Sequence, residues 1–249
     1  MRAWMRAGLE PAQAQKVAYL PFWRALADAD RARLSGLARV FEERKEWEGC
    51  GGLAITEEIK AVVSVQACRL VLRLQQVEPP SEPFPHVRTI LVFPGSFRAR
   101  YALARADGVV EVSDSWNQGE AWHDGKVVLA WDGAYQGGRD DDDGRNLVIH
   151  EFAHQLDRVD GDADGLPPVA DRAAREQWRR LVDREFARLA EAVERGRATT
   201  LDAYGATDPA EFFAVASEQF FEQPARLRRA HAELYAALAG FYRQDPLAG

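Results

Sequence analysis

Cysteine is scarce: the 249 residues hold two, Cys50 and Cys68. A pair is too few for the disulfide framework of a small secreted protein, so both are expected as reduced, buried thiols. Long apolar runs are absent as well. No stretch approaches the roughly 18 consecutive apolar residues of a membrane span. The opening "MRAWMRAGLEPAQAQ" lacks the continuous apolar segment of a secretory signal. Basic charge is in deficit, the formal net charge being -7, and no concentrated basic face is visible to grip a nucleic acid. These absences leave a protein expected in the cytoplasm, with no direct nucleic-acid or membrane partner.

What is present suits an enzyme. Hydrophobic residues make up 47% and charged residues 29%, the balance of a globular chain. A single domain over 1–249 is expected, in three parts: helices over 1–80, a sheet over 88–132 and helices over 145–245. In "LSGLARVFEERKEW", Leu34, Leu37, Ala38 and Phe41 recur at helical spacing. A second helix is expected after Thr56, a good N-cap followed by Glu57 and Glu58. The prolines of "VEPPSEPFP" mark a loop. "RTILVFP", "GVVEVS" and "KVVLAWD" are β-branched runs bounded by Gly, Pro and Asp, and read as strands. "GAYQGGRDDDDGRN" reads as a flexible acidic loop. Further helices are expected from Leu147, over about 170–196, 209–222 and 225–243. Strands grouped between helices indicate an α+β fold with a small mixed sheet.

The chemistry gathers in "VIHEFAHQLD", residues 148 to 157. Four residues apart on a helix, His150 and His154 share a face and can address one ion, for which zinc is the expected metal. Glu151 projects about 100° round the helix from His150, where in such motifs a carboxylate takes a proton from water. A catalytic site needs a third protein ligand. Asp160 has the sequence distance used by metzincins, but Asp157 occupies the turn position where they require glycine. Glu211 and Glu218 lie two turns apart on nearly one helix face, and spacing does not separate them. Glu211 has a purely structural alternative, since Asp208, Pro209 and Glu211 form a capping-box-like helix start.

Other features carry less. "DGDADG", residues 160–165, has the acids of a calcium loop, yet Asp171 is short for the twelfth position and Pro167 and Pro168 interrupt it. A polar turn is expected there, and a solvated loop at Asp140–Asp143. His86, His123 and His231 are isolated, with packing or surface roles. Trp116 and Trp122 are expected to pack.

"HEFAHQLD", "YGATDPAEFFAVASEQFFEQP" and "LYAALAGFYRQDP" resemble the Mlc titration factor A family of bacterial zinc peptidases. The likeness extends through "GLAITEEIKAVVSVQAC", "ILVFPGSF" and "VVLAWD" and so covers most of the chain. The second motif is also similar to the catalytic domain of anthrax lethal factor, with its tyrosine seven residues before a glutamate ligand. The resemblance implies a zincin-like fold of the gluzincin class. It assigns His150, His154 and Glu211 as zinc ligands, Glu151 as general base and Tyr204 as transition-state stabiliser, and it leaves Glu218 to orient an imidazole. It further implies a monomeric aminopeptidase acting on peptides, with an Mlc-like transcriptional repressor as a second partner. "VVLAWD" is expected as an edge strand along which a peptide lies extended.

Overall fold

The computed structural model describes residues 1–74, 82–104, 110–117, 119–121, 125–161, 163–169 and 171–248, with the backbone alone for 97–104, 110–117, 119–121 and 160. Three short helices, α1 (Arg2–Ala7), α2 (Pro11–Val17) and α3 (Pro21–Ala25), open the chain. The stripe of Leu34, Leu37, Ala38 and Phe41 lies on α4 (Asp28–Arg44) and is wholly buried. α5 (Glu57–Val71) starts where Thr56 Oγ1 accepts the Ile59 N–H at 3.2 Å.

Helix α4 stops short of the expected "KEW". Lys45 turns inward, its Nζ donating to Glu82 Oε1 and to the Phe84 carbonyl at 2.8 Å each. The next residues form a strand, β1 (Glu46–Gly49). Only Trp47 is apolar there, too brief an alternation to signal a strand. β1 runs parallel to β2 (Thr89–Phe93), and α5 connects the two as one crossover unit.

β2 in turn pairs in parallel with β6 (Lys126–Ala130), placing Ile90 opposite Val127 and Val92 opposite Leu129, all buried. β5 (Gly119–Ala121) lies antiparallel to β6, giving the order β1-β2-β6-β5. β6 is therefore an inner strand, and the edge expected at "VVLAWD" belongs to β5. β3 (Phe97–Ala104) and β4 (Val110–Asn117) form a separate antiparallel hairpin. The chain is mixed α+β and mostly helical.

Trp131 and Asp132 leave the sheet to begin α6 (Trp131–Arg139), a helix where glycines suggested a loop. Gly137 and Gly138 are accounted for by close approach. A Cβ on Gly137 would meet Asn146 Cα at 3.0 Å, and one on Gly138 would meet Gln66 Nε2 and Leu20 Cδ2 at 3.0 Å each. α7 (Leu147–Asp157) follows and is buried on nearly every side. Its Phe152 packs on Phe84 and Phe41, with ring centroids 4.8 and 5.6 Å away. α8 (Arg172–Glu194) and α9 (Pro209–Glu222) match the expected spans. The last expected helix is two, α10 (Pro224–Ala230) and α11 (Ala232–Tyr242). They part at His231, whose backbone is non-helical and whose Nδ1 lies 2.7 Å from Glu185 Oε2 of α8.

Two buried acids tie local structure to stability. Glu42 Oε2 on α4 accepts from Gln13 Nε2 of α2 at 2.8 Å. Asp157 Oδ2 accepts the Gly165 N–H at 3.2 Å, closing the turn after α7. Burial is the main cause that pushes both carboxyls up to about 7. The folded chain thus holds protons that the unfolded chain has released, and stability drops as pH rises from ordinary carboxylate values towards about 7. Urea unfolding of the metal-free protein at about pH 5 and about pH 7.5 should show less pH dependence in Glu42→Gln than in the parent. An unchanged dependence would remove Glu42 as a cause. Gly165 offers a second test. Its φ is +73°, and a Cβ there would lie 2.2 Å from the Pro209 carbonyl at the start of α9. Gly165→Ala should cost at least about 1–3 kcal/mol in the same assay. A loss below about 0.5 kcal/mol would show that the turn yields freely.

Candidate metal centre

Asn146 caps α7, its Oδ1 accepting the Ile149 N–H at 3.0 Å. One turn into the helix is His150, and one turn further His154; the ring centroids are 4.8 Å apart. Their Nε2 atoms face each other at 3.2 Å. α9 crosses α7 at this level and brings Glu211, whose Oε2 lies 3.0 Å from His150 Nε2 and 3.4 Å from His154 Nε2.

The capping alternative for Glu211 resolves into two separate functions. Asp208 Oδ1 accepts the Glu211 N–H at 2.9 Å and caps α9 unaided. The Glu211 carboxylate is left to turn towards the imidazoles. Glu218, two turns on, faces the other nitrogen of the same ring, with Oε1 2.7 Å from His150 Nδ1. Its Oε2 accepts the Asn146 backbone N–H at 2.6 Å. The two glutamates that spacing left equivalent thus stand on opposite sides of one imidazole.

The three facing atoms fit a metal. Tetrahedral ligands at about 2.0–2.1 Å from an ion are separated from one another by about 3.3–3.4 Å. The observed separations of 3.0, 3.2 and 3.4 Å lie close to that spacing. Charge points the same way. Glu151, Glu211 and Glu218 surround two imidazoles, an arrangement that a divalent cation compensates. Burial disfavours the His150 imidazolium, yet hydrogen bonds to Glu211 and Glu218 hold its pKa well above the ordinary value. Burial also opposes ionisation of Glu211, but hydrogen bonds from both histidines keep its carboxyl far below the usual range. Burial lowers His154, and its Nδ1 is enclosed without a hydrogen-bond partner among the described residues.

Glu151 is 5% exposed, and burial pushes its carboxyl up to about 8 against the opposing charge of His150. Tyr204 stands on a short 3-10 turn, Ala203–Ala206, capped by Asp202, which accepts the Tyr204 N–H at 2.9 Å. Arg145 Nη2 holds the other Asp202 oxygen at 2.5 Å. The tyrosine ring is 6.0 Å from that of His150, and the residue is 55% exposed. Burial of its hydroxyl and the nearby Glu211 charge raise its pKa to about 12, so it remains a donor.

Asp160 closes a 3-10 turn, Arg158–Asp160, after α7; its side chain lies outside the described residues, as do Trp122, His123, Asp162 and the side chain of Trp116. Asp164 is engaged by Arg175 and Arg179 at 3.3 and 3.1 Å. Asp140–Asp143 lies before the N-terminal end of α7, where Asp141 bears electrostatically on Arg69 and Glu222. Sequence reasoning did not single out Asn146, Gln66, Glu222 or Arg69, the buried groups behind His150. An unexplained glutamine inside the apolar run "AVVSVQAC" was the available signal.

Comparison with known proteins identifies the family. A family model described as glucose-regulated metallo-peptidase M90 matches residues 2–243. The chain is 37% identical over 229 residues to the protein slr2042 of Synechocystis, covering 92% of this chain and 82% of that one. It is 33% identical over 244 residues to Mlc titration factor A of Serratia proteamaculans, covering 95% and 88% of the two chains. With the same factor of Pectobacterium atrosepticum the identity is 32% over 236 residues, covering 92% and 84%. A match over nearly the whole length places the chain in the M90 family of metallo-peptidases.

Proposed function

We propose that this protein is a zinc-dependent peptidase of aminopeptidase type, built as one zincin-like domain of the gluzincin class over residues 1–249. The observation that carries this reading is the convergence of His150 Nε2, His154 Nε2 and Glu211 Oε2 within 3.0–3.4 Å of one another. Held by His150, His154 and Glu211, zinc would supply Lewis acidity to the scissile carbonyl and the attacking water. Glu151, next to His150 in the chain and buried beside the three facing atoms, takes the proton of the attacking water and returns it to the leaving amine. The Tyr204 hydroxyl donates to the oxyanion as charge develops. β5 packs beside α7 and is one of the sheet's two edge strands among the described residues, so an extended peptide aligns along it rather than along β6. Aminopeptidase specificity rests on the family resemblance. The unpaired Cys50 and Cys68 favour a reducing, cytoplasmic setting, and a monomer suffices for the chemistry.

A second reading follows from the relatives' name, Mlc titration factor A. In it the chain binds an Mlc-like transcriptional repressor and the peptidase activity is secondary. Release of DNA-bound repressor by Glu151→Gln, as effective as release by the parent, favours the binder; release that needs Glu151 favours proteolysis.

Protein purified without chelator should carry about one zinc per chain by elemental analysis. A chain that neither carries nor takes up zinc refutes the assignment. Three substitutions then separate the roles. Glu211→Ala should lose zinc affinity and activity together. Glu151→Gln should keep zinc while peptide turnover drops by roughly 10²–10⁴. Tyr204→Phe should keep zinc and KM, with kcat lower by up to about 10²–10³. Retention of full zinc by Glu211→Ala would reject it as a ligand, and parent-like kcat in Tyr204→Phe would reject the oxyanion role.

A further inference from the structure

Behind His150 the buried polar groups converge on Asn146, which is 1% exposed. Capping α7 needs only its side-chain oxygen. Its amide nitrogen nevertheless donates to Gln66 Oε1 at 2.9 Å and to the Gly137 carbonyl at 3.0 Å, with Glu222 Oε1 at 3.3 Å. An amide has two N–H groups, so the two shorter contacts exhaust it. Gln66 is fixed just as fully. Its nitrogen faces the carbonyls of Val62 and Ala134, each at 3.1 Å, so its oxygen must face Asn146. Neither amide can be turned over without setting like groups against each other.

A glutamine wholly buried among valines is costly unless its bonds serve a purpose. The geometry supplies one. The backbone N–H of the anchored Asn146 holds Glu218 Oε2 at 2.6 Å, and Glu218 Oε1 holds His150 Nδ1 at 2.7 Å. Both carboxylate oxygens are occupied, so Glu218 has a single orientation. It fixes the proton of the ring on Nδ1 and leaves the Nε2 lone pair towards Glu211 and His154. Gly137 and Gly138 allow α6 to approach closely enough for this, since a Cβ on either would meet Asn146 or Gln66 at 3.0 Å.

We propose that Gln66 and Asn146 are positioning residues of the metal site: they lock Glu218, and through it the imidazole of His150, in the orientation that presents Nε2. The proposal rests on the reading of His150 as a metal ligand.

Asn146→Ser isolates the function, because serine keeps an oxygen for the cap but lacks the amide donors. Gln66→Leu removes the acceptor from the other side at similar volume. The readouts are zinc affinity by competition with a chromophoric chelator, urea unfolding of the metal-free protein, and kcat and KM on a peptide. Both variants should bind zinc about 10–100-fold more weakly, with kcat reduced more than KM is raised. Metal-free Asn146→Ser should lose the stability of the buried amide bonds alone, whereas Asn146→Ala should lose that of the cap in addition. Parent-like zinc affinity in Asn146→Ser, with weakening only in Asn146→Ala, would make Asn146 a helix cap alone and overturn the proposal. If Gln66→Leu does not fold, Asn146→Ser decides the question by itself. A parent chain that binds no zinc overturns the metal reading beneath; normal binding by the parent and by both variants overturns the positioning alone.

Discussion

The bond between Glu218 and His150 is the contact on which the rest of the centre depends. Without it the imidazole is free to rotate about its side chain, and the close approach of His154 and Glu211 loses its third corner. Because Glu218 and Glu211 share one helix face, a single α9 supplies the carboxylates on both sides of the ring. Packing of α7 against α9 thereby sets several distances at once. Phe212, Phe213 and Phe220 on α9, all but fully buried, pack on Phe186 and Trp178 of α8 and on Tyr242 of α11, which seats α9 from its other side.

A site so rich in carboxylates is electrostatically unsettled when only protons compensate it. In the metal-free site the opposed shifts of His150 and Glu211 are those of an ion pair, in whose place a cation of higher charge satisfies the carboxylates. The protein prepares this at the expense of its own cohesion, since isolated acids in an apolar interior disfavour folding. Broad apolar packing of the helices on one sheet face offsets the cost.

How much of this could be read from the chain itself depends on the range of the interactions. Amphipathic stripes and caps are local, so α4, α5, α8 and α9 were legible, as were the histidine pair and the α+β class. β1 was not, because four residues with one apolar side chain become a strand only by pairing with a segment some forty residues away. α6 was hidden by glycines whose purpose is tertiary closeness rather than flexibility. The choice between Glu211 and Glu218 was beyond spacing because it depends on which imidazole nitrogen each carboxylate meets. The edge strand was misjudged because a three-residue segment, β5, covers β6.

Arg69 has a bearing on how the protein comes into being. Its guanidinium lies between the rings of Phe22 and Phe221, 4.4 and 4.9 Å from their centroids, and pairs with Glu222 at 3.3 Å. Gln244 donates to its carbonyl at 2.9 Å. Nearby, Ser217 and Tyr242 join their hydroxyls at 2.8 Å. The helix bearing Glu211 and Glu218 is thus backed by residues translated well before it and by others translated after it. A nascent chain displays its two histidines well before the last of these supports has left the ribosome. The backing of the candidate centre is therefore a long-range assembly, closed only when segments from before and after its two histidines have met.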